Sequence, residues 1–531
     1  MRFLVVHRLP RFPLAFLALC LLSLSSPAAQ QTQPPDDRTF VESIDVRLVQ
    51  VEVVVTDSQG KRVPGLKRED FRLLVDGQEA PIDLFTEIRE GQVYGLDDAA
   101  TVGGGNSLLF FIDDYFTIRR YRQELFDRLL ESLDRLGPRD QGAVVRFAGD
   151  GLEVMTEWTG DREAIRRLLE EARRAKSGEL VRQAQLNGLS ASGADITAFF
   201  KLRQQQVKKI TSAVGAALRT LPEPEGRKLM VLLSSGWPYD STASDLVSAR
   251  EAAALERYSS QEALFEVAQN ANLLGYTIYP LHLGLADSPD SLDLDAVGNP
   301  DEASIGLEPP GGSSDRDQRA SLRFLAQATG GRFFGFAIAK TELPMTMVER
   351  DTRAYYVLGT YPQLVGDGTR HTFKVEVGGA SGDGLKVRHR EGYWDLTPDQ
   401  KAAMDTEAAL LLGRSSGPEL EVRVGKHRRS GGRVEVPVEV VLPMDWVTML
   451  PSRDGFSASL ELRVAALDAR GDRSEMPTIP IDFSGPHKPP PGSHSIYETV
   501  VKLRRKAQKV VLSLYDRSSG EMLTTTFDFT P

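Results

Sequence analysis

The residues with the clearest chemical potential are Asp113 and Asp114, adjacent carboxylates that close the apolar run Ser107-Leu108-Leu109-Phe110-Phe111-Ile112. Such a run reads as a parallel strand buried on both faces, and the carboxyl end of a strand of this kind is where open α/β sheets bind ligands. Carboxylates there can meet a ligand or cap the backbone amides of the strand-to-helix turn, and the residues alone leave both readings open. Trp237 and Tyr239, just past the turn after the apolar stretch Lys228 to Ser234, would sit at the same crevice. They would serve there as aromatic anchors for a partner or pack beneath a neighbouring loop. Catalytic templates do not assemble. Gly137 to Gly142 has the spacing of a phosphate loop, but Ala143-Val144 stands where Lys-Ser/Thr is required. No Gly-x-Ser-x-Gly elbow occurs, and the histidines beyond the leader (282, 371, 389, 427, 487 and 494) show no metal-ligand spacing. His282, on an apolar strand, reads as a core residue. The segment from Asp293 opens like a calcium loop but puts Val297 at a ligand position and Ser304 where a bidentate Glu belongs. A binding surface therefore outranks an enzyme, and hydrolysis ranks last.

The elements that must position these residues alternate between strand and helix. Leu125, Leu129, Leu133 and Leu136 recur at helical spacing, Gly137-Pro138 ends that helix, and Ala143 to Phe147 reads as the next buried strand. Helices over about 161–175 and 199–221, a strand at 228–234, a helix over about 244–273 and a strand from 276 follow. A helix over 318–328, a strand at 332–335 and a helix near 340–349 complete a doubly wound, Rossmann-like α/β domain over residues 105–350. On either side the pattern is β. Residues 38–95 alternate apolar positions with a phase slip near Leu48-Val49 that predicts a bulge. Residues 351–397 read as a β segment packed on the α/β domain, and a helical link at Pro398 to Leu412 leads into a C-terminal β-sandwich over 415–531. The fold class is thus multidomain, a central α/β domain flanked by sandwich-like all-β modules.

FFIDDYFT (Phe110 to Thr117), SGADI (Ser192 to Ile196) and RKLMVLLSSGWP (Arg227 to Pro238) together resemble a von Willebrand factor type A (VWA) domain. VEVVVTDSQGKRVPGLKREDFRLLVDG (Val51 to Gly77), AYYVLGTYP (Ala354 to Pro362) and LKVRHREGYW (Leu385 to Trp394) resemble its companions in the VWFA-related family of secreted bacterial proteins. The resemblance implies protein recognition or adhesion through a metal-ion-dependent site at the carboxyl edge of the sheet, where hard oxygen ligands hold Mg²⁺. Asp113 matches the first ligand and Thr117 can replace the second serine. Tyr115, Ala194 and Ser235 stand where a serine, a threonine and an aspartate belong, so the expected site (Asp113, Asp114, Thr117, Ser235) is degenerate. No resident cofactor is expected and Mg²⁺ would be held weakly; a shifted site using Asp114 is the alternative.

Length and composition bound the rest. At 531 residues the chain exceeds one hydrophobic core. Residues 1–29 have the basic, apolar and small-residue parts of a signal peptide, with cleavage near Ala29 or Gln30 and the single Cys20 inside the removed leader. Export to the periplasm or the exterior follows, with no disulfide and no membrane span in the mature chain. The net charge of −10 becomes three units more negative without Arg2, Arg8 and Arg11, which argues against nucleic acid as a partner. The expected partner is a protein; the competing expectation is a metal-free structural or assembly scaffold of the cell envelope.

Overall fold

The computed structural model describes residues 45–46, 48–90, 92–94, 105–117, 119–149, 151–175, 196–222, 224, 226–238, 259–282, 312–335, 343–378, 384–413, 418–452, 455–469 and 471–531. The leader, Ala194, Tyr239 and most of the acidic loop after His282 lie outside them.

The central sheet has six strands: β1 (Asn106–Asp113), β2 (Gln141–Phe147), β3 (Leu152–Thr159), β4 (Arg227–Ser234), β5 (Tyr276–His282) and β6 (Phe334–Gly335). Their order is 6-5-4-1-2-3, parallel except for the antiparallel β2–β3 pair. This is the doubly wound order, with the switch point between β1 and β4. Alternation along β1 splits its side chains between two layers. Leu108, Phe110 and Ile112 pack with helices α1 (Arg119–Ser132), α2 (Arg162–Arg174) and α6 (Pro344–Thr352). Leu109 and Phe111 pack on the opposite face with α3 (Ile196–Thr220), α4 (Gln261–Leu274) and α5 (Gly312–Ala328). Phe110 and Phe111 are fully buried, each contributing about 1.5–3 kcal/mol of transfer free energy. The antiparallel edge strand β3 is absent from the sequence reading, although Leu152, Val154, Thr156 and Trp158 carry its alternation.

The flanking β segments are not two modules. Val49–Thr56 lies between Ala354–Thr360 and Lys386–His389, and Phe71–Val75 pairs with Arg370–Val377. Residues 45–94 and 354–394 thus build one antiparallel sandwich, split in sequence by the α/β domain, around Val51, Val53, Leu73, Phe85, Tyr356, Leu358 and Phe373. The expected N-terminal β module (38–95) and β segment (351–397) are corrected to halves of one unit, because each supplies strands to the other's sheets. The expected bulge is corrected too. Asp45↔Leu364, Val46↔Gln363 and Val49↔Thr360 keep one register. The apolar pattern changes phase because the strand is covered on both faces: Val54, Ile88, Tyr355 and Val357 form a second small cluster. On that side the sandwich meets the amino ends of the central strands. Arg227 of β4 pairs with Glu52 at 2.6 Å and lies over the Tyr355 ring, and Asp351 of α6 is held by Arg62 and Arg388 at 2.5 Å each.

Helix α7 (Pro398–Leu412) begins at a capping box, with Thr397 accepting from Gln400 N at 3.1 Å and Gln400 returning the bond at 3.0 Å. Its small and apolar residues, Ala408, Ala409, Leu410 and Leu411, share one core with Val207 and Val214 of α3 and with Ala465, Leu467 and Val511 of the C-terminal sandwich. That sandwich packs Arg433–Pro443 and His494–Arg504 against Gly455–Asp468, Gln508–Asp516 and Met522–Phe529. Among the described residues no helix is long and apolar enough to cross a membrane.

Candidate functional site

The candidate site forms at the carboxyl ends of β1 and β4, on opposite sides of the switch point. Asp113 is fully buried. Its Oδ1 accepts from the backbone amides of Tyr115 (3.1 Å) and Phe116 (2.9 Å), which fixes the turn out of β1. Its Oδ2 accepts from Ser234 Oγ (2.6 Å) and from the indole Nε1 of Trp237 (2.8 Å). An ionised carboxylate offers about four acceptor directions, and four donors of this chain fill them. The donors are themselves anchored: Ser234 Oγ accepts from Gly236 N (3.0 Å), and Trp237 N donates to Ser321 Oγ (3.0 Å), whose hydroxyl donates to Gln318 O (2.6 Å) in α5. Gly236 (φ +85°) is required here, because a Cβ would strike the Gln318 carbonyl.

Asp114 points elsewhere and is also fully buried. It lies in ion-pair contact with Arg122 of α1 and Arg146 of β2. Arg146 Nη1 continues to Glu153 Oε2 at 2.8 Å, and Arg122 donates to the carbonyl of Ala172 at the end of α2. Burial, and then the neighbouring Arg146 charge, bring Arg122 down to about 10 against the pull of Asp113, so it stays protonated at neutral pH. Thr117, buried, donates its hydroxyl to the Asp113 carbonyl, and Ser235 is buried after β4. The Tyr115 ring makes T-shaped contacts with Phe116 (centroids 5.3 Å apart) and Phe147 (5.9 Å).

The structure therefore joins Asp113 to Trp237, sends Asp114 to a separate pair of arginines, and leaves no acceptor direction of Asp113 for a cation. Mg²⁺ demands several oxygen ligands in near-octahedral geometry. The residues present do not fit it, since the Trp237 and Ser234 donors occupy the oxygen a metal would need. The expectation of Trp237 as an exposed anchor is corrected: it is 0% exposed, because its indole N–H is the partner of a buried carboxylate. Arg122, Arg146, Ser234 and Ser321 were missed. Arg146 had a signal, a charge inside the apolar strand Ala143 to Phe147; Ser321 had none. His282 is buried as expected, and burial with the charges of Arg319 and Arg323 lowers it to about 3, so it is neutral. The open space nearby is a cleft of about 680 Å³ between Arg146, Gly151 and Glu153 on one side and Asp468, Lys509 and Asp528 of the C-terminal sandwich on the other.

No protein-family model matches the chain, and no curated protein matches it. Among solved structures, the VWA domain of SpRpn10 aligns with 46% of this chain and 95% of its own, at 11% identity and a TM-score of 0.21. The structural-genomics target SoR45 aligns with 21% of this chain and 84% of its own, at 15% identity and a TM-score of 0.13. Similarities of this size identify neither a family nor a function.

Proposed function

We propose that the chain is an exported recognition protein, not an enzyme, that engages a protein partner without a metal ion. One observation carries this reading: both carboxylates that could have received a cation are spent on donors of the chain itself, Asp113 on four hydrogen bonds and Asp114 on two guanidinium groups. Export rests on the layout of residues 1–29, and periplasmic or extracellular placement follows from it. With the strand-end crevice filled from within, the contact surface moves to the cleft beside Arg146, whose lining of arginine, lysine and carboxylates suits a polar protein surface. The test is site-specific photo-cross-linking in the native envelope from Gly151 or Ala469, with the exposed Glu79 of the split sandwich as control. A defined adduct from the cleft positions that survives chelation of divalent ions supports the proposal. An adduct that vanishes with chelator, or the same products from Glu79, refutes it.

A second reading, a metal-free assembly scaffold, is favoured by the strand His494–Arg504. Among the described residues it pairs only with Arg433–Pro443, and it exposes Ile496 and Val500. A free strand edge of that length invites addition of a strand from another chain. Adducts from Ile496 in place of the cleft would favour it.

A further inference from the structure

A second cluster of ligand-type side chains lies far along the chain from Asp113, in the split sandwich. The antiparallel register Arg370↔Trp394 and His371↔Tyr393 sets the residues just before one strand beside those just after the other. Gly368 N donates to Asp395 O at 2.7 Å, and Asp395 N donates to Thr369 O at 3.1 Å. The strand Phe71–Val75 ends opposite Phe373, so the turn residue Asp76 arrives beside His371 and Thr372. One potential ligand atom from each of Asp367, His371 and Asp395 lies within 4.8 Å of the others. We infer that these three side chains bind a divalent transition-metal ion of the zinc or manganese class, which ties the 365–369 loop to the end of strand Gly392–Trp394.

Three further features support the site. Asp76 Oδ2 lies 2.7 Å from His371 Nδ1; a carboxylate accepts only, so Nδ1 carries the proton and Nε2 is the ligating nitrogen. A carboxylate orienting a histidine in this way is the usual outer-shell companion of a metal-bound imidazole. Asp395 is 5% exposed, with Oδ2 fixed by the amides of Val365 (2.7 Å) and Gly366 (2.8 Å), and among the described residues no donor reaches its other oxygen. With one oxygen fixed and the other unclaimed, Asp395 presents a positioned acceptor to an incoming ion. Charge points the same way. Among the described residues neither Asp76, Asp367 nor Asp395 pairs with a lysine or arginine.

Thr369 Oγ1 now donates to Asp367 Oδ2 at 2.9 Å and sits 3.4 Å from His371 Nε2, where an ion would intervene. One imidazole with two carboxylates suits zinc or manganese better than magnesium, which prefers oxygen and retains its waters. Three protein ligands leave a position for water. The site adjoins the Thr397 cap, since the space beside Gly368 is bounded by Thr397 and Gln400, so the ion would stiffen the joint that feeds helix α7.

The test is calorimetric titration of the full mature chain with ZnCl₂ and with MnCl₂, paired with thermal unfolding. Stoichiometric binding of a single ion and a raised unfolding midpoint are expected in the wild type. His371→Ala and Asp395→Asn should weaken binding by more than about 100-fold and remove the shift in midpoint; Asp76→Asn should weaken it by about 10–100-fold. His427→Ala, at an imidazole elsewhere, should change nothing. Asp367→Asn, at an exposed ligand, gives a variant whose far-UV spectrum should match the wild type if the others misfold. Absence of stoichiometric binding in the wild type, or equal affinity in a folded His371→Ala or Asp367→Asn variant, overturns the inference.

Discussion

Replacing Asp113 by asparagine keeps the shape of the side chain and alters only what its second oxygen can do. Oδ1 continues to accept from Tyr115 N and Phe116 N, but an amide NH₂ now faces Ser234 Oγ and Trp237 Nε1. Ser234 can turn its hydroxyl and accept. The indole cannot, because it is a donor only. A charge-assisted bond of about 1.5–3 kcal/mol is lost, and a fully buried N–H is left unpaired at a further cost of about 1–3 kcal/mol. Relief of carboxylate desolvation returns part of this. The net expectation is a destabilisation of about 2–4 kcal/mol, read as faster amide exchange of residues Leu108 to Ile112 under native conditions, with the rest of the chain serving as internal reference. Trp237→Phe removes the same bond from the other side. The double variant should therefore lose less than the sum of the two, with a coupling of about 1–2 kcal/mol. If Asp113→Asn leaves exchange at β1 within about 0.5 kcal/mol of wild type, the carboxylate is not a structural latch and the reasoning fails.

Arg122→Met should destabilise by about 3–5 kcal/mol in urea unfolding, because it strips one of two counter-charges from the buried Asp114; Arg146→Gln, at a more exposed partner, should cost distinctly less. Burial would raise the Asp351 carboxyl, but the charges of Arg388 and Arg62 and the Tyr279 hydroxyl hold it well below the ordinary carboxylate range. Its contribution should be complete at neutral pH and fade as pH falls below about 4 toward the folded-state value. Urea midpoints across that window should fall less steeply in Asp351→Asn than in wild type. Gly236→Ala should cost about 2–4 kcal/mol in the same assay, since a positive φ and the Gln318 carbonyl both oppose a side chain.

The layered centre was legible because its signals are local. The run Leu108 to Ile112, the stop at Gly137-Pro138 and the apolar stretch Lys228 to Ser234 each specify one element, and helix α7 at Pro398–Leu412 coincides with the segment marked by its cap. Pairing between distant strands has no such mark. Nothing in Val49 to Thr56 announces that its neighbour is Ala354 to Thr360, so the split sandwich read as two pieces and its two-sided burial as a bulge. The site failed for a related reason. The sequence places acidic and aromatic residues at the same strand ends, but whether Trp237 faces solvent or Asp113 depends on Ser321 of α5, more than eighty residues away. Asp367, His371 and Asp395 escaped a search for histidine spacing because strand register, not spacing, brings them together.

The strand-end carboxylates are closed by their own chain. A crystal structure of the mature protein grown with MnCl₂, read by anomalous scattering, tests this closure most directly. Trp237 Nε1 should sit on Asp113 Oδ2, with no manganese within bonding distance of Asp113, Thr117 or Ser235. A manganese ion coordinated by Asp113, with Trp237 swung away, would contradict it.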